Sequence, residues 1–67
     1  MNLARKYEHQ VGANAIDLDK IAVQKDQNWD EEKTIWIFED GSAISISGNV
    51  IGIINDYGLH PDYEQLK

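Results

Sequence analysis

The side chains able to take part in chemistry are few. Two histidines, His9 and His60, stand among 12 carboxylates and 6 basic residues, with no cysteine, in 67 residues. Nucleophilic catalysis needs a hydroxyl or thiol beside a base that a third group orients. His60 with Asp56 and Ser45 is the hydroxyl–histidine–carboxylate set to consider. Neither a nucleophile-elbow motif nor a glycine-rich oxyanion loop accompanies it. His60 therefore reads as a surface residue beside a turn, and the chain does not read as an enzyme. Asp26, Asn28 and Asp30 have the spacing that opens a calcium loop. Such a loop needs glycine at its sixth position and a bidentate glutamate at its twelfth. Here those positions hold Glu31 and Ile37. The glycines form no phosphate-binding pattern, and the lack of cysteine removes disulfides and Cys-based zinc sites. No metal or other cofactor is expected.

Charge placement says more. The formal net charge of -6 argues against direct nucleic-acid binding, because phosphate contacts require Lys and Arg. Half of the acidic residues (Asp26, Asp30, Glu31, Glu32, Glu39 and Asp40) lie in the 26–40 stretch, where Lys33 is the one basic residue. Asp30, Glu31 and Glu32 precede a strand that carries Trp36, and Glu39 and Asp40 follow it. At roughly 3.3 Å per residue the two groups lie about 20–25 Å apart. Carboxylates spread over such a span can stand where phosphates would, before a row of Arg and Lys. A solvated rim that keeps a small domain soluble has the same composition. These six acids, with Trp36, are the candidate partner-binding residues.

The elements that must position them predict an α+β fold in a single domain, 1–67, with a modest core. Leu3, Tyr7 and Val11 share one helical face. Asn14 is a good N-cap, and Leu18, Ile21, Ala22 and Lys25 form the next stripe. The pattern predicts two helices, near 2–11 and 15–25, or one helix bent near Gly12. The second half predicts a three-stranded antiparallel meander with two-residue turns at Asp40-Gly41 and Gly48-Asn49. Those turns set Ile37 opposite Ile44, Ile35 opposite Ile46, Ile46 opposite Ile51 and Ile44 opposite Ile53. Six isoleucines (35, 37, 44, 46, 51 and 53) then share one face, the expected core under the helices.

The opposite face would carry Trp36, Phe38, Ala43, Ser45, Val50, Gly52 and Ile54. The C-terminal tail, a second copy of the chain or a target protein would cover it. Trp29 is either a core anchor that plugs the junction of helix and sheet, the preferred reading, or part of the contact edge. The segment from His60 predicts a short C-terminal helical turn with Pro61 at its first position. No apolar run is long enough to span a bilayer. The residues from Met1 to Tyr7 lack the apolar stretch of a secretory signal, which predicts a cytoplasmic protein.

The run Lys25-Asp26-Gln27-Asn28-Trp29-Asp30, then Phe38-Glu39-Asp40-Gly41-Ser42, then Ile46-Ser47-Gly48 resembles a phage family. It is similar to the small DNA-mimicking anti-CRISPR proteins directed at type I-F surveillance complexes. Ile21-Ala22-Val23 before Lys25 fits the same pattern. The likeness covers roughly the first two-thirds of the chain, with one residue gapped after Trp29-Asp30. It implies inhibition by occupation, without catalysis. Such proteins bind the basic residues of a crRNA-guided effector that otherwise take the target duplex beside the PAM.

The resemblance therefore implies a host CRISPR–Cas effector complex as partner, in an infected bacterial cell. It implies Asp26, Asp30, Glu31, Glu39 and Asp40 as contacts. The family pattern continues into an acidic helical C-terminal segment, whereas this sequence stops soon after Tyr63-Glu64-Gln65-Leu66. The alternative expectation is a homodimerising or protein-interaction module that uses the Trp36/Phe38 sheet face.

Overall fold

A computed structural model describes residues 2–66 and has the expected α+β class, with more strands than the sequence predicts. Two helices, α1 (Leu3–Gly12) and α2 (Leu18–Ile21), precede β1 (Gln24–Asn28), β2 (Lys33–Ile37), β3 (Ala43–Ser47), β4 (Val50–Ile54) and β5 (Glu64–Gln65). The strands form one antiparallel sheet in the order β4-β3-β2-β1-β5. The expected three-stranded meander is its β2-β3-β4 part. The helices cover one face, and the segment 55–63 crosses the other as a strap. No described helix is long and apolar enough to cross a membrane.

The first helix follows its apolar stripe. Ala4 and Val11 are buried, and Leu3 and Tyr7 pack beside them. Asn14 closes this helix instead of opening the next. It takes a left-handed φ of 54°, which asparagine tolerates, while Ala15 N–H donates to the Gln10 carbonyl at 2.7 Å. Asp17 caps α2, its carboxylate accepting from Asp19 N–H at 3.0 Å. Ala22 is already extended, with ψ 154°, so Lys25 lies on a strand and not on the predicted helix. The sequence carries no apolar period of two there, because the inward residues of β1, Gln24 and Asp26, are polar. Both find partners on the strap.

The Gly48-Asn49 turn behaves as expected. Gly48 has φ 60°, and Ile46 pairs with Ile51 and Ile44 with Ile53. The Asp40-Gly41 turn does not. The connection runs over residues 38–42, with Phe38 N–H donating to the Ser42 carbonyl at 2.8 Å and Gly41 N–H to the Phe38 carbonyl at 3.0 Å. Ile37 therefore pairs with Ala43, Trp36 with Ile44 and Ile35 with Ser45. This is a slip of one residue from the predicted register, and a slip of one exchanges the faces.

The six isoleucines are consequently divided. Ile44, Ile46 and Ile53 pack with Trp36, Phe38 and Leu18 under the helices. Ile35 and Ile37 pack with Ala43, Ile54, Tyr57 and Tyr63 under the strap. Two covered faces account for the nearly continuous apolar runs of β2 to β4, which alternation alone would not produce.

The longer turn has a cause. Asp40 accepts from Ser42 N–H at 3.0 Å and Ser42 Oγ–H at 2.6 Å through one oxygen. Through the other it accepts from Leu3 N–H at 2.9 Å. Ser42 Oγ in turn accepts from Ala4 N–H at 3.1 Å. Asn2 completes the cap, its side chain accepting from Arg5 N–H at 2.9 Å and its carbonyl from Lys6 N–H at 3.0 Å. Three N–H groups that a helix start leaves without intrahelical partners, those of Leu3, Ala4 and Arg5, are satisfied by side chains, two of them from the β2–β3 turn. Gly41, at φ 89°, supplies the left-handed residue this turn needs. Its carbonyl accepts from Tyr57 and Gly58 N–H at 3.0 and 2.9 Å.

The strap ends differently from the predicted helical turn. Tyr63 N–H donates to the His60 carbonyl at 3.2 Å, which is one turn only. The chain then pairs as β5 with Gln24 and Lys25, and Leu66 N–H donates to the Val23 carbonyl at 3.0 Å. The free edge of β1 offers backbone partners that an isolated helical turn lacks.

Partial burial works to raise the Asp40 pKa, but the hydrogen bonds from Ser42 and from the Leu3 N–H together hold it below the ordinary aspartate value. A lowered folded-state pKa gives stability that is present above about pH 4 and is lost as the pH falls through the folded value. Asp40→Ala is expected to lose about 1–2 kcal/mol at pH 7 by urea unfolding. The gap to the parent protein is expected to close as the pH is lowered below about 4.

Candidate functional site

The sheet sends its exposed carboxylates to two ends. At one end the β1–β2 tip spans residues 29–32. Asn28 organises it, its side-chain oxygen accepting from Asp30 N–H at 3.1 Å and Glu31 N–H at 3.3 Å. Glu32 takes the left-handed φ of 50° that closes the turn. An Asx turn of this kind binds the backbone inward and leaves the following side chains outward. Asp30, Glu31 and Glu32 are exposed, and their carboxylates make no hydrogen bond or ion pair among the described residues.

Trp29 shares this tip and is 77% exposed, which corrects the expectation that it plugs the core. Because β1 is a strand, it carries Trp29 past the end of the sheet and away from the helices. At the opposite end of β2, Glu39 is exposed beside Asp40.

The other candidates serve the fold. Asp26 is half-buried on β1 and accepts from the Tyr57 hydroxyl at 2.6 Å. Burial first, then the hydrogen bond to Asp26, pushes the Tyr57 pKa well above the ordinary tyrosine value. Asp40 caps α1, as described. Trp36 is half-buried on the helix side, its indole N–H donating to Asp19 at 2.8 Å. Lys25 Nζ lies 3.5 Å from the same carboxylate and 5.4 Å from the centre of the Trp36 ring. The Trp36 hydrogen bond, opposed by partial burial and aided by Lys25, lowers the Asp19 pKa.

Phe38 is fully buried, 5.6 Å from the Tyr7 ring centre. The Trp36/Phe38 face is therefore roofed by the helices, where the expected cover was the C-terminal tail, a second copy or a target protein. The one-residue register shift is the reason, since it puts Trp36 on the same side as Ile44.

Of the seven candidates, the structure brings Asp30, Glu31 and Glu32 together, leaves Glu39 exposed at the far end, and engages Asp26, Asp40 and Trp36 internally. The predicted row of acids is thus a compact cluster with a separate outlier. The set of His60, Asp56 and Ser45 is not assembled. His60 Nδ1 accepts from Asp62 N–H at 3.1 Å, and its backbone is clamped by Gln24 at 2.9 and 3.0 Å. Ser45 is buried beside Gly52.

Sequence reasoning missed an open groove of about 640 Å³ between the α1–α2 connection and the sheet, with Leu18, Trp36, Ile46 and Ile51 on its walls and Asn14 and Asn49 at its rim. The non-helical connection between α1 and α2, with Asn14 to Asp17, forms one side of it.

Tyr57→Phe is expected to lose roughly 1–2 kcal/mol by urea unfolding at neutral pH, because the half-buried Asp26 carboxylate loses its donor. A raised folded-state pKa gives stability that is present below about pH 10 and is lost as the pH rises through the folded value. The parent protein should therefore lose stability more steeply than the Tyr57→Phe variant as the pH rises above about 10, read from urea midpoints. Compared with known proteins, the chain matches no protein-family model, no curated protein and no solved structure.

Proposed function

We propose that this chain is a non-enzymatic inhibitor of a CRISPR–Cas effector complex, made by a phage and acting in the infected bacterial cell. It occupies a basic DNA-binding surface of the effector with carboxylates that take the place of phosphates. The observation that carries this reading is the β1–β2 tip. There Asp30, Glu31 and Glu32 stand exposed without internal partners on a turn held by Asn28. The tip continues the Lys25–Asp30 run that resembles the DNA-mimicking inhibitors.

Physical arguments support the tip as the contact. A turn already ordered by two side-chain hydrogen bonds gives up little conformational freedom on binding. Adjacent carboxylates suit bidentate Arg recognition. Trp29 beside them offers an aromatic surface on which a guanidinium stacks, and exposed tryptophans are frequent anchors of interfaces. Asp26 and Asp40, which the resemblance alone would include, are held by Tyr57 and by the α1 cap. The proposed contact set is therefore Asp30, Glu31 and Glu32 with Trp29, extended by Glu39 where the effector surface reaches the far end of β2.

The test is competition for target DNA on a purified type I-F surveillance complex. Saturating chain is expected to abolish DNA binding, less effectively as salt is raised. The triple substitution Asp30→Lys, Glu31→Lys, Glu32→Lys is expected to weaken inhibition about tenfold or more. Unchanged DNA binding at saturating chain would sink the proposal. So would a triple variant that is folded and equally inhibitory.

A further inference from the structure

We infer that the outer edge of β4 is a self-association surface, through which two copies pair β4 with β4 antiparallel about Gly52 and join their sheets. The inference is independent of the inhibitory reading and rests on a different part of the molecule.

β4 is an outermost strand with β3 as its one ladder partner. A two-residue turn makes its flanking pair, Ser47 and Val50, a hydrogen-bonded one, and bonded and non-bonded pairs alternate along an antiparallel ladder. Val50, Gly52 and Ile54 thus bond toward β3. The N–H and C=O groups of Ile51 and Ile53 point outward, where no described residue meets them. Natural sheets shield such an edge with charge, proline, a bulge or brevity. The other edge is the two-residue β5 with Glu64 on it. β4 is five residues of Val-Ile-Gly-Ile-Ile, without charge or proline. Two of its side chains are also open to water, Val50 at 70% and Ile51 at 38%.

The occupant that fits this edge is a second copy. Pairing about Gly52 sets Ile51 against the partner's Ile53, a bonded pair made twice, so four outward groups on each copy are satisfied together. Val50 meets the partner's Ile54, and β-branched cross-strand pairs of this kind are favourable. The two Gly52 residues meet as a non-bonded pair, the close one in such ladders, and carry no side chain to hinder it.

Charge is compatible as well. The strand is uncharged and is flanked by the amides Asn49 and Asn55. The acidic tip lies between β1 and β2, so at about 4.8 Å per strand the two tips of a dimer stand roughly 25–30 Å apart. That exceeds the screening length of about 8 Å at physiological salt. A basic peptide would be drawn to the carboxylates and gain no ion pair on β4. One strand edge is a small contact beside the usual size of stable interfaces, so the dimer forms with rising concentration.

Sedimentation of the full chain from about 10 μM to 1 mM tests this, with amide exchange measured over the same range. The expected result is a monomer–dimer equilibrium in which Ile51 and Ile53 N–H exchange slows as concentration rises. Ile51→Pro removes an outward N–H and no bond to β3, and proline is tolerated on such an edge. Val50→Lys adds an edge charge. Each is expected to weaken dimerisation about tenfold or more while circular dichroism stays that of the parent. A chain that stays monomeric at the top of the range, with Ile51 and Ile53 exchanging freely, overturns the inference. A dimer that both folded variants leave unchanged overturns it too.

Discussion

The Asp40 carboxylate holds the architecture together. Its two oxygens reach in different directions, one to Ser42 across the β2–β3 turn and one to the first N–H of α1. The first contact lengthens the turn beyond two residues and so sets the register of β2 against β3. The second, with Ser42 Oγ on Ala4 N–H, seats the helix start on that turn. Register and helix placement thus follow from one side chain, and which isoleucines face the helices follows from both. A shared acceptor of this kind tolerates little change, because removing the carboxylate leaves several donors without their partner.

The second face depends on the strap. A domain of this length buries a small core and has no disulfide to restrain it. Crossing the sheet with 55–63 buries Ile35, Ile37 and Ala43 under Tyr57 and Tyr63. Polar residues of β1 hold the strap in place, Gln24 through the His60 backbone and Asp26 through the Tyr57 hydroxyl. Among the described residues no buried side-chain polar atom lacks a partner. The chain therefore makes a three-layer arrangement out of a sheet that could otherwise expose one side to water.

The carboxylates divide along the same lines. Those near the sheet centre or at a helix start are drawn into hydrogen bonds with parts of the chain distant in sequence. Those on the β1–β2 tip are not, because a tight turn ordered by Asn28 has no neighbour above it. The same geometry frees Trp29. Availability to a partner is set here by what lies opposite each acid, and the density of acids along the sequence carries no such information.

Much was legible locally. The stripe of α1 is written in Leu3, Tyr7 and Val11. The β3–β4 hairpin is written in Gly48-Asn49 between two apolar runs, because a two-residue turn and alternating side chains constrain each other within a few residues. The clustering of acids in 26–40 is equally plain.

The strand character of 24–28, the strap and β5 were not legible. Gln24 and Asp26 become inward-facing residues only when the C-terminal segment arrives to hydrogen-bond them. The β2–β3 register departs from the two-residue reading because Asp40 also accepts from Ser42, which lengthens the turn, while Leu3 and Ala4 N–H hold that pair in place from a distant part of the chain. By itself the sequence determined the first helix, the β3–β4 hairpin and the stock of acids. The tertiary structure alone decided which acids and aromatics remain free, because that choice is made by contacts between residues some 30 to 40 positions apart.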